Sequence, residues 1–258
     1  MTDRRPALSQ GISKGAVAGA LLVCLALAQP AAAQSLRDSL FGHRPSLDGR
    51  PGAAPLVARY VSEDGDVFVL DMSQGPPLLK FENNFEVWAL KPQPGPRGDT
   101  IFKNDLGEPV LRATRLGGLT VFTDDHPGGE AAAVAGAGSP LRLLPLDPQT
   151  LAEKLLQASA RASRAARRLI PFEAEATPAS SALIADAAMV TSEGLVRMTK
   201  HGPDRRFLER ILKVRLLAGR KGGALIDQGV LQVTVAPTQG LAGRPSSERI
   251  IKVTESGR

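Results

Sequence analysis

Short runs of β-favouring residues recur every eight to twelve positions between residues 56 and 123, and turn residues separate them. The first two runs, residues 57–62 and 67–72, flank Glu63-Asp64-Gly65, where Asp-Gly supplies the positive φ that a tight hairpin needs. Five further runs cover residues 78–81, 85–90, 100–103, 110–114 and 119–123. Seven short strands at this spacing predict an antiparallel β-meander, folded as a twisted sheet or a small barrel.

Helical periodicity begins after residue 147. Asp147-Pro148 supplies an N-cap and a proline at the first helical position, and the pattern predicts a helix to Leu169. Its leucines and alanines share one face. Thr177-Pro178 repeats the start signal before a second helix, which is apolar over most of its surface and is expected to be buried. The neighbouring face of the first helix is basic and carries Lys154, Arg161, Arg164 and Arg168.

Two alternating runs near the carboxyl terminus, residues 212–216 and 231–235, predict the half-buried strands of a C-terminal β-hairpin. With the meander and two packed helices, this hairpin predicts an α+β fold. We expect a single α+β domain over residues 56–258. The alternative is a β-meander subdomain at 56–123 and a helix-hairpin subdomain at 141–258, joined by the Gly- and Ala-rich loop at 124–140.

The first 33 residues are organised like a secretory signal peptide. Three basic residues precede an uninterrupted apolar run over residues 16–28, and Ala31-Ala32-Ala33 predicts cleavage before Gln34. This run ends before a proline, and it is too short to span a membrane, which takes about 20 residues. We therefore expect a periplasmic or secreted protein that is not an integral membrane protein after signal removal. Residues 34–55, rich in Pro, Gly and charge, are expected to be a flexible leader.

Cysteine is confined to Cys24, inside the predicted signal peptide. An exported form without cysteine excludes disulfides, thiol catalysis and cysteine-ligated metal. The sequence also lacks the phosphate-binding glycine loop, the zinc-protease histidine pair and the serine elbow of common hydrolases. We expect no cofactor.

Two groups of residues could still support chemistry. Asp124-Asp125-His126 is the densest group of potential ligands, and its carboxylates and imidazole could hold a divalent cation; a solvated turn is the alternative. Acidic residues on neighbouring hairpins could form a hydrolytic carboxylate pair. These acidic residues are Asp64, Asp66, Glu82 and Glu86.

No nucleophile, base and orienting group can be assembled from these motifs. We therefore interpret the chain as a non-catalytic envelope binding module or a structural and interaction module. A carboxylate-dependent or metal-dependent hydrolase acting on envelope material is the alternative.

Charge is distributed unevenly along the chain after the predicted cleavage site. Residues 34–150 contain 11 basic and 15 acidic residues, whereas residues 151–258 contain 18 basic and 10 acidic residues. The basic face of the first helix could bind an anionic envelope surface or an acidic protein partner. The alternative is a solvated face that balances the acidic meander. Nucleic acid is not expected as a partner of an exported protein.

Two stretches resemble a known family. Residues 98–122 (GDTIFKNDLGEPVLRATRLGGLTVF) and 240–250 (GLAGRPSSERI) are similar to stretches of an uncharacterised family of exported alphaproteobacterial proteins, classed as a domain of unknown function. The resemblance implies a bacterial, exported protein. It implies no activity, cofactor or catalytic residue.

Overall fold

The computed structural model describes residues 55–200 and 205–257. The predicted signal peptide, its cleavage site and all but the last residue of the predicted leader lie outside the described residues. Nine strands form an antiparallel sheet with the order β4-β3-β2-β1-β9-β8-β7-β6-β5. The strands are β1 Val57–Ser62, β2 Val67–Asp71, β3 Leu78–Phe81, β4 Trp88–Ala89, β5 Lys91–Pro94, β6 Thr100–Lys103, β7 Pro109–Ala113, β8 Leu119–Val121 and β9 Glu130–Ala137.

This sheet is nearly closed. Each strand pairs with the next along the chain except at one point, and β9 pairs back onto β1. The exception lies between β4 and β5, which occupy opposite edges of the strand order although only Leu90 separates them in sequence. Because one residue spans less than about 4 Å, the sheet must curl until its two edges meet at Leu90.

The concave side of the sheet holds an apolar core. Tyr60, Phe68, Phe81 and Trp88 form a row of aromatic rings across β1 to β4, with successive centroids 5.3, 5.5 and 5.9 Å apart. Neighbouring aromatic pairs on adjacent strands stabilise a sheet beyond their buried area. The predicted meander is confirmed.

The second half of the chain forms a helical unit around a four-stranded sheet. Its strand order is β10-β11-β13-β12, with β10 and β13 both parallel to β11 and β12 antiparallel to β13. The elements are α1 Pro148–Ala166, β10 Phe172–Glu175, α2 Ser181–Met198, the short α3 Arg205–Leu208, β11 Lys213–Ala218, β12 Gly223–Asp227, β13 Val230–Val235 and α4 Ser247–Ser256.

Helices α1 and α2 pack on each other, and α2 covers this smaller sheet. Helix α1 starts as predicted, because the Asp147 carboxylate accepts a hydrogen bond from the Thr150 N–H at 2.9 Å. It ends at Ala166, three residues before the predicted end, because Arg167 adopts the left-handed conformation (φ 56°) that usually requires glycine. Leu169 therefore lies beyond the helix and is 74% exposed.

The C-terminal hairpin is confirmed, but its two strands are β12 and β13. The alternating run predicted at 212–216 contributes to β11 (Lys213–Ala218), which pairs in parallel with β13 instead of serving as its hairpin partner. The sequence did not predict β12, because this half-exposed edge strand has no regular alternation.

Two strands of the large sheet were also absent from the prediction. Strand β5 contains Pro92 and Pro94, which a strand tolerates at a sheet edge, where one side of the backbone needs no partner. Strand β9 lies in the segment predicted as a Gly- and Ala-rich loop, and it pairs with both β1 and β8. Within the described residues, no helix combines the length and apolar character required to cross a membrane.

Candidate functional site

The nine-stranded sheet meets the helical unit where the chain leaves β13 and approaches α4. A 3₁₀ turn over Pro237–Gly243 follows β13, and Arg244 comes directly after this turn. The turn closes on itself, because the Ala236 N–H donates to the Gly243 carbonyl at 2.7 Å. This backbone contact fixes the point from which the Arg244 side chain extends.

Arg244 is 6% exposed although its guanidinium is charged. It donates through Nε to the Asp186 carboxylate on α2, through one terminal nitrogen to Glu86 at 3.4 Å, and through the other to the Val87 carbonyl at 2.8 Å. Glu86 and Val87 lie between β3 and β4. Arg244 therefore ties the large sheet to α2 through a buried, charge-assisted network.

Two carboxylates from the large sheet hold the first turn of α4. Ser247 donates to Glu86 through its N–H at 3.0 Å and also through its hydroxyl. The N-cap residue Ser246 accepts from the Arg249 N–H at 3.1 Å and donates its hydroxyl to Asp105 at 2.6 Å. Carboxylates at a helix amino terminus are favoured by the helix dipole.

Burial raises the pKa of the Glu86 carboxyl above its ordinary value of 4.5, although Arg244 and the two Ser247 donors oppose this shift. The folded protein therefore keeps a proton on Glu86 at pH values where the unfolded chain has released it. Linkage makes this contribution to stability largest below the unfolded pKa, and it is lost as pH rises towards the folded pKa.

Glu86→Gln removes this titration. The quantity to measure is the difference in unfolding free energy between wild type and Glu86→Gln, obtained by denaturant titration at each pH. We expect this difference, wild type minus variant, to fall as pH rises from about 4 to about 7. Glu82→Gln is the control with the opposite sign, because the Arg59 hydrogen bond lowers the pKa of Glu82. A difference for Glu86→Gln that grows with pH would contradict the raised pKa.

A cleft of about 670 Å³ opens beside the Arg244 network, and we call it the junction cleft. Trp88, Leu90, Ala224 and Leu241 contribute apolar side chains to its lining. Its charged lining consists of four basic and two acidic residues. They are Lys91, Lys221, Arg244 and Arg249, with Asp105 and Glu248.

The charges of the junction cleft are not equivalent. Arg249 donates Nε to Asp105 at 3.0 Å, and Glu248 lies 2.6 Å from a terminal nitrogen of Arg197, so both carboxylates are paired. Lys91 and Lys221 are exposed, and neither forms an ion pair with another described residue. The net positive charge of the cleft therefore comes from two lysines that remain available to a ligand.

The four basic residues predicted on α1 and just after it occupy two kinds of environment. Arg161 pairs with Glu193 of α2 and lies over the Phe85 ring, 5.2 Å from its centroid. Arg168 donates to the carbonyls of residues 208, 209 and 211. Lys154 and Arg164 are exposed. Two of the four thus hold neighbouring segments together, and two present charge to solvent.

The predicted metal ligands Asp124, Asp125 and His126 do not converge on one point. The Asp124 side chain is 96% exposed and lies 3.8 Å from Arg197, and Asp125 is exposed. His126 instead faces two carboxylates from elsewhere in the large sheet. Its Nε2 lies 3.0 Å from Asp64 and 2.8 Å from Glu130. We call these three residues the His126 cluster.

Three of the four acidic residues considered for hydrolysis contact separate partners, and the fourth, Asp66, is half-buried after the β1–β2 turn. Asp64 lies against His126, Glu82 receives a hydrogen bond from Arg59 at 2.7 Å, and Glu86 lies in the Arg244 network. This separation favours structural roles for the three carboxylates over a shared acid-base pair.

Sequence analysis did not single out Arg244, Asp186 or Asp105. One signal for Arg244 was available, because it lies in the Gly-Arg-Pro-Ser-Ser part of the 240–250 stretch. Arginine suits an anchoring position because its planar guanidinium can donate to several acceptors at once, and the serines after it suit a helix N-cap.

The sequence profile of one family, described as a domain of unknown function (DUF4908), matches residues 35–254. No curated protein and no solved structure shows a significant match to the chain. The junction cleft and the His126 cluster both lie within the matched residues.

Proposed function

We infer the function from the junction cleft, because the chain belongs to the DUF4908 family of domains of unknown function, for which no activity is known. We propose that the chain is an exported, non-catalytic binding module. Its ligand is an anionic component of the cell envelope that also carries an apolar portion. The observation that supports this proposal is a cleft of about 670 Å³ with apolar side chains and two available lysines. Ligand sites of about 300–1,000 Å³ with a few placed polar groups are typical of small-molecule binding.

The walls of the cleft favour binding over catalysis. Its two carboxylates, Asp105 and Glu248, already contact Arg249 and Arg197, so neither is a free general base. Arg244 lines the cleft and is held by its hydrogen bonds to Asp186, Glu86 and the Val87 carbonyl. A pre-organised cleft reduces the entropy lost when a ligand binds.

The charge of the cleft selects an anion. Lys91 is the first residue of edge strand β5 in the large sheet, and Lys221 precedes β12 in the helical unit, so the two ammonium groups come from different halves of the protein. Apolar contacts from the partly exposed Trp88 and Ala224 would receive the uncharged part of the ligand.

Export is part of the proposal and rests on the amino-terminal sequence. The basic residues, the apolar run and Ala31-Ala32-Ala33 are typical of a cleaved signal peptide. The family match begins at residue 35, next to the predicted cleavage site. An anionic ligand in the periplasm or at the cell surface agrees with this location.

The test uses 8-anilinonaphthalene-1-sulfonate, an anion with an apolar ring system, and its uncharged analogue N-phenyl-1-naphthylamine. We expect saturable binding of the sulfonate to the purified protein by calorimetry, weakening as salt screens the lysines. The Lys91→Gln/Lys221→Gln variant should bind it about fivefold more weakly or worse, with little change for the uncharged analogue.

The matched control removes the same charge from α1. Lys154→Gln/Arg164→Gln alters the two exposed basic residues of the predicted helix face and should leave sulfonate binding within about twofold of wild type. If this control lost binding while the cleft variant kept it, the basic helix face would be the anion site. Equal affinity of both variants and wild type would reject anion binding at the cleft.

A further inference from the structure

Glu130 is the most unusual carboxylate in the described part of the chain. It is 6% exposed, and neither of its carboxylate oxygens makes a hydrogen bond within the described residues. Its Oε1 lies 2.8 Å from the His126 Nε2. A buried carboxylate without hydrogen bonds is costly unless another charge compensates it.

His126 cannot compensate Glu130 fully as an imidazole. Its Nε2 carries at most one proton, and that same nitrogen lies 3.0 Å from Asp64 as well. Two carboxylates therefore converge on a single donor, and Oε2 of Glu130 has no hydrogen-bond partner there. One nitrogen and two carboxylates directed at a common point form the donor set of a cation site.

The three ligand atoms come from two adjacent turns and the start of a strand. Asp64 lies in the β1–β2 turn, His126 in the turn between β8 and β9, and Glu130 is the first residue of β9. Their ligand atoms all lie within 4.8 Å of one another. The Thr123 hydroxyl accepts from the His126 N–H at 3.1 Å, which fixes the backbone that presents the imidazole.

We propose that Asp64, His126 and Glu130 bind a divalent transition-metal ion of the Zn²⁺ type. Nitrogen and carboxylate ligands bind Zn²⁺ at about 2.0–2.2 Å, which places neighbouring ligand atoms about 3.4 Å apart in a tetrahedron. The His126–Asp64 distance of 3.0 Å and the His126–Glu130 distance of 2.8 Å must therefore widen by about 0.4 and 0.6 Å. The Asp64 and His126 side chains are 58% and 39% exposed, so both have room to make this adjustment. The ion supplies the positive charge that buried Glu130 lacks.

The proposed site shares His126 with the site predicted from the sequence, but Asp64 and Glu130 take the places of Asp124 and Asp125 as its carboxylate ligands. Three protein ligands leave the fourth tetrahedral position to solvent or an exogenous ligand. Because Asp64 and Glu130 belong to different strand pairs, the ion also clamps the β1–β2 turn to the start of β9. The site is distinct from the junction cleft, and its failure would leave the proposed anion binding untouched.

The experiment measures Zn²⁺ binding to the purified protein after chelator treatment. We expect one Zn²⁺ per chain by calorimetry and elemental analysis, and intense visible absorption on Co²⁺ substitution, as four-coordinate sites give. Glu130→Gln and Asp64→Asn should each weaken Zn²⁺ binding at least about tenfold. The control, Asp124→Asn/Asp125→Asn, removes the two sequence-adjacent carboxylates and should bind like wild type.

Three outcomes would overturn the site. Absence of saturable Zn²⁺ binding to wild type would leave His126 as a structural contact of the two carboxylates. Tight binding that survives both Glu130→Gln and Asp64→Asn would place the metal elsewhere. If only the Asp124→Asn/Asp125→Asn control lost Zn²⁺ binding, Asp124 and Asp125 would be the carboxylate ligands, as predicted from the sequence. If Glu130→Gln did not fold, exposed Asp64→Asn would still decide between these results.

Discussion

Arg244→Met is expected to lower the free energy of unfolding by about 3 kcal/mol, because it removes the shared cation of a buried network. Asp186 and Glu86 then lose the guanidinium, and the Val87 carbonyl loses its donor. The expected loss is at the lower end for a broken buried pair, since burial already raises the pKa of Glu86 and lets that carboxyl take up a proton. Denaturant unfolding followed by circular dichroism measures it.

Two comparisons separate the network from a general loss of charge. Arg59→Met removes an arginine whose ion pair with Glu82 is exposed to solvent, and it should leave the unfolding midpoint nearly unchanged. Asp186→Asn should cost less in the Arg244→Met background than in wild type, because the two residues share one interaction. Additive effects of Arg244→Met and Asp186→Asn would show that the network is not coupled.

Gly243→Ala is expected to be as damaging, for a steric reason. A Cβ at this position would lie 2.0 Å from the Ala236 carbonyl oxygen and 2.9 Å from its carbonyl carbon. Both atoms belong to a backbone that is held by the Ala236 N–H to Gly243 hydrogen bond, so neither can rotate away as a side chain would. We expect a loss of about 3 kcal/mol, at the upper end for overpacking.

Gly223→Ala is the matched control for this glycine substitution. Gly223 also lies beside the junction cleft, yet a Cβ there would meet no atom within 4 Å. Its effect on the unfolding free energy should stay within about 0.5 kcal/mol, as for most substitutions without a clash. A Gly243→Ala variant as stable as Gly223→Ala would mean that the 3₁₀ turn rearranges freely.

The parts of the fold that the sequence predicted are those with strong local signals. The meander was predictable because its hairpins are marked by local turns such as Glu63-Asp64-Gly65, where Gly65 has φ +90°. The start of α1 was predictable because Asp147 and Pro148 are adjacent signals. The end of α1 was not, because Arg167 adopts a left-handed conformation that its residue type does not indicate.

Strands β9 and β12 form because of their pairing with neighbouring strands, and their local sequence does not predict them. Strand β9 reads EAAAVAGA and is mostly exposed, so neither alternation nor β-branched residues mark it. It is a strand because β1 and β8 both present open backbone groups to it. The same applies to β12, which sits at an edge and pairs only with β13.

The candidate sites depend on contacts between distant residues. Arg244 and Glu86 are 158 positions apart, and composition gives no indication that they meet. His126 was singled out by its residue type, but Asp64 and Glu130 lie beside it only through the β1–β9 pairing. The sequence therefore drew attention to His126, whereas the two carboxylates that lie beside it follow only from the fold.

The position of β9 has a consequence for how this sheet assembles. Strands β1 to β4 and β5 to β8 are two local meanders, each made of neighbours in sequence, and β9 inserts between β1 and β8 to unite them. Contacts within each meander close short loops, whereas the β1–β9 pairing closes a loop of more than sixty residues. Such non-local contacts slow folding. The sheet cannot be completed until its ninth strand has been synthesised, so β1 and β8 each lack one strand neighbour until residue 137 is available.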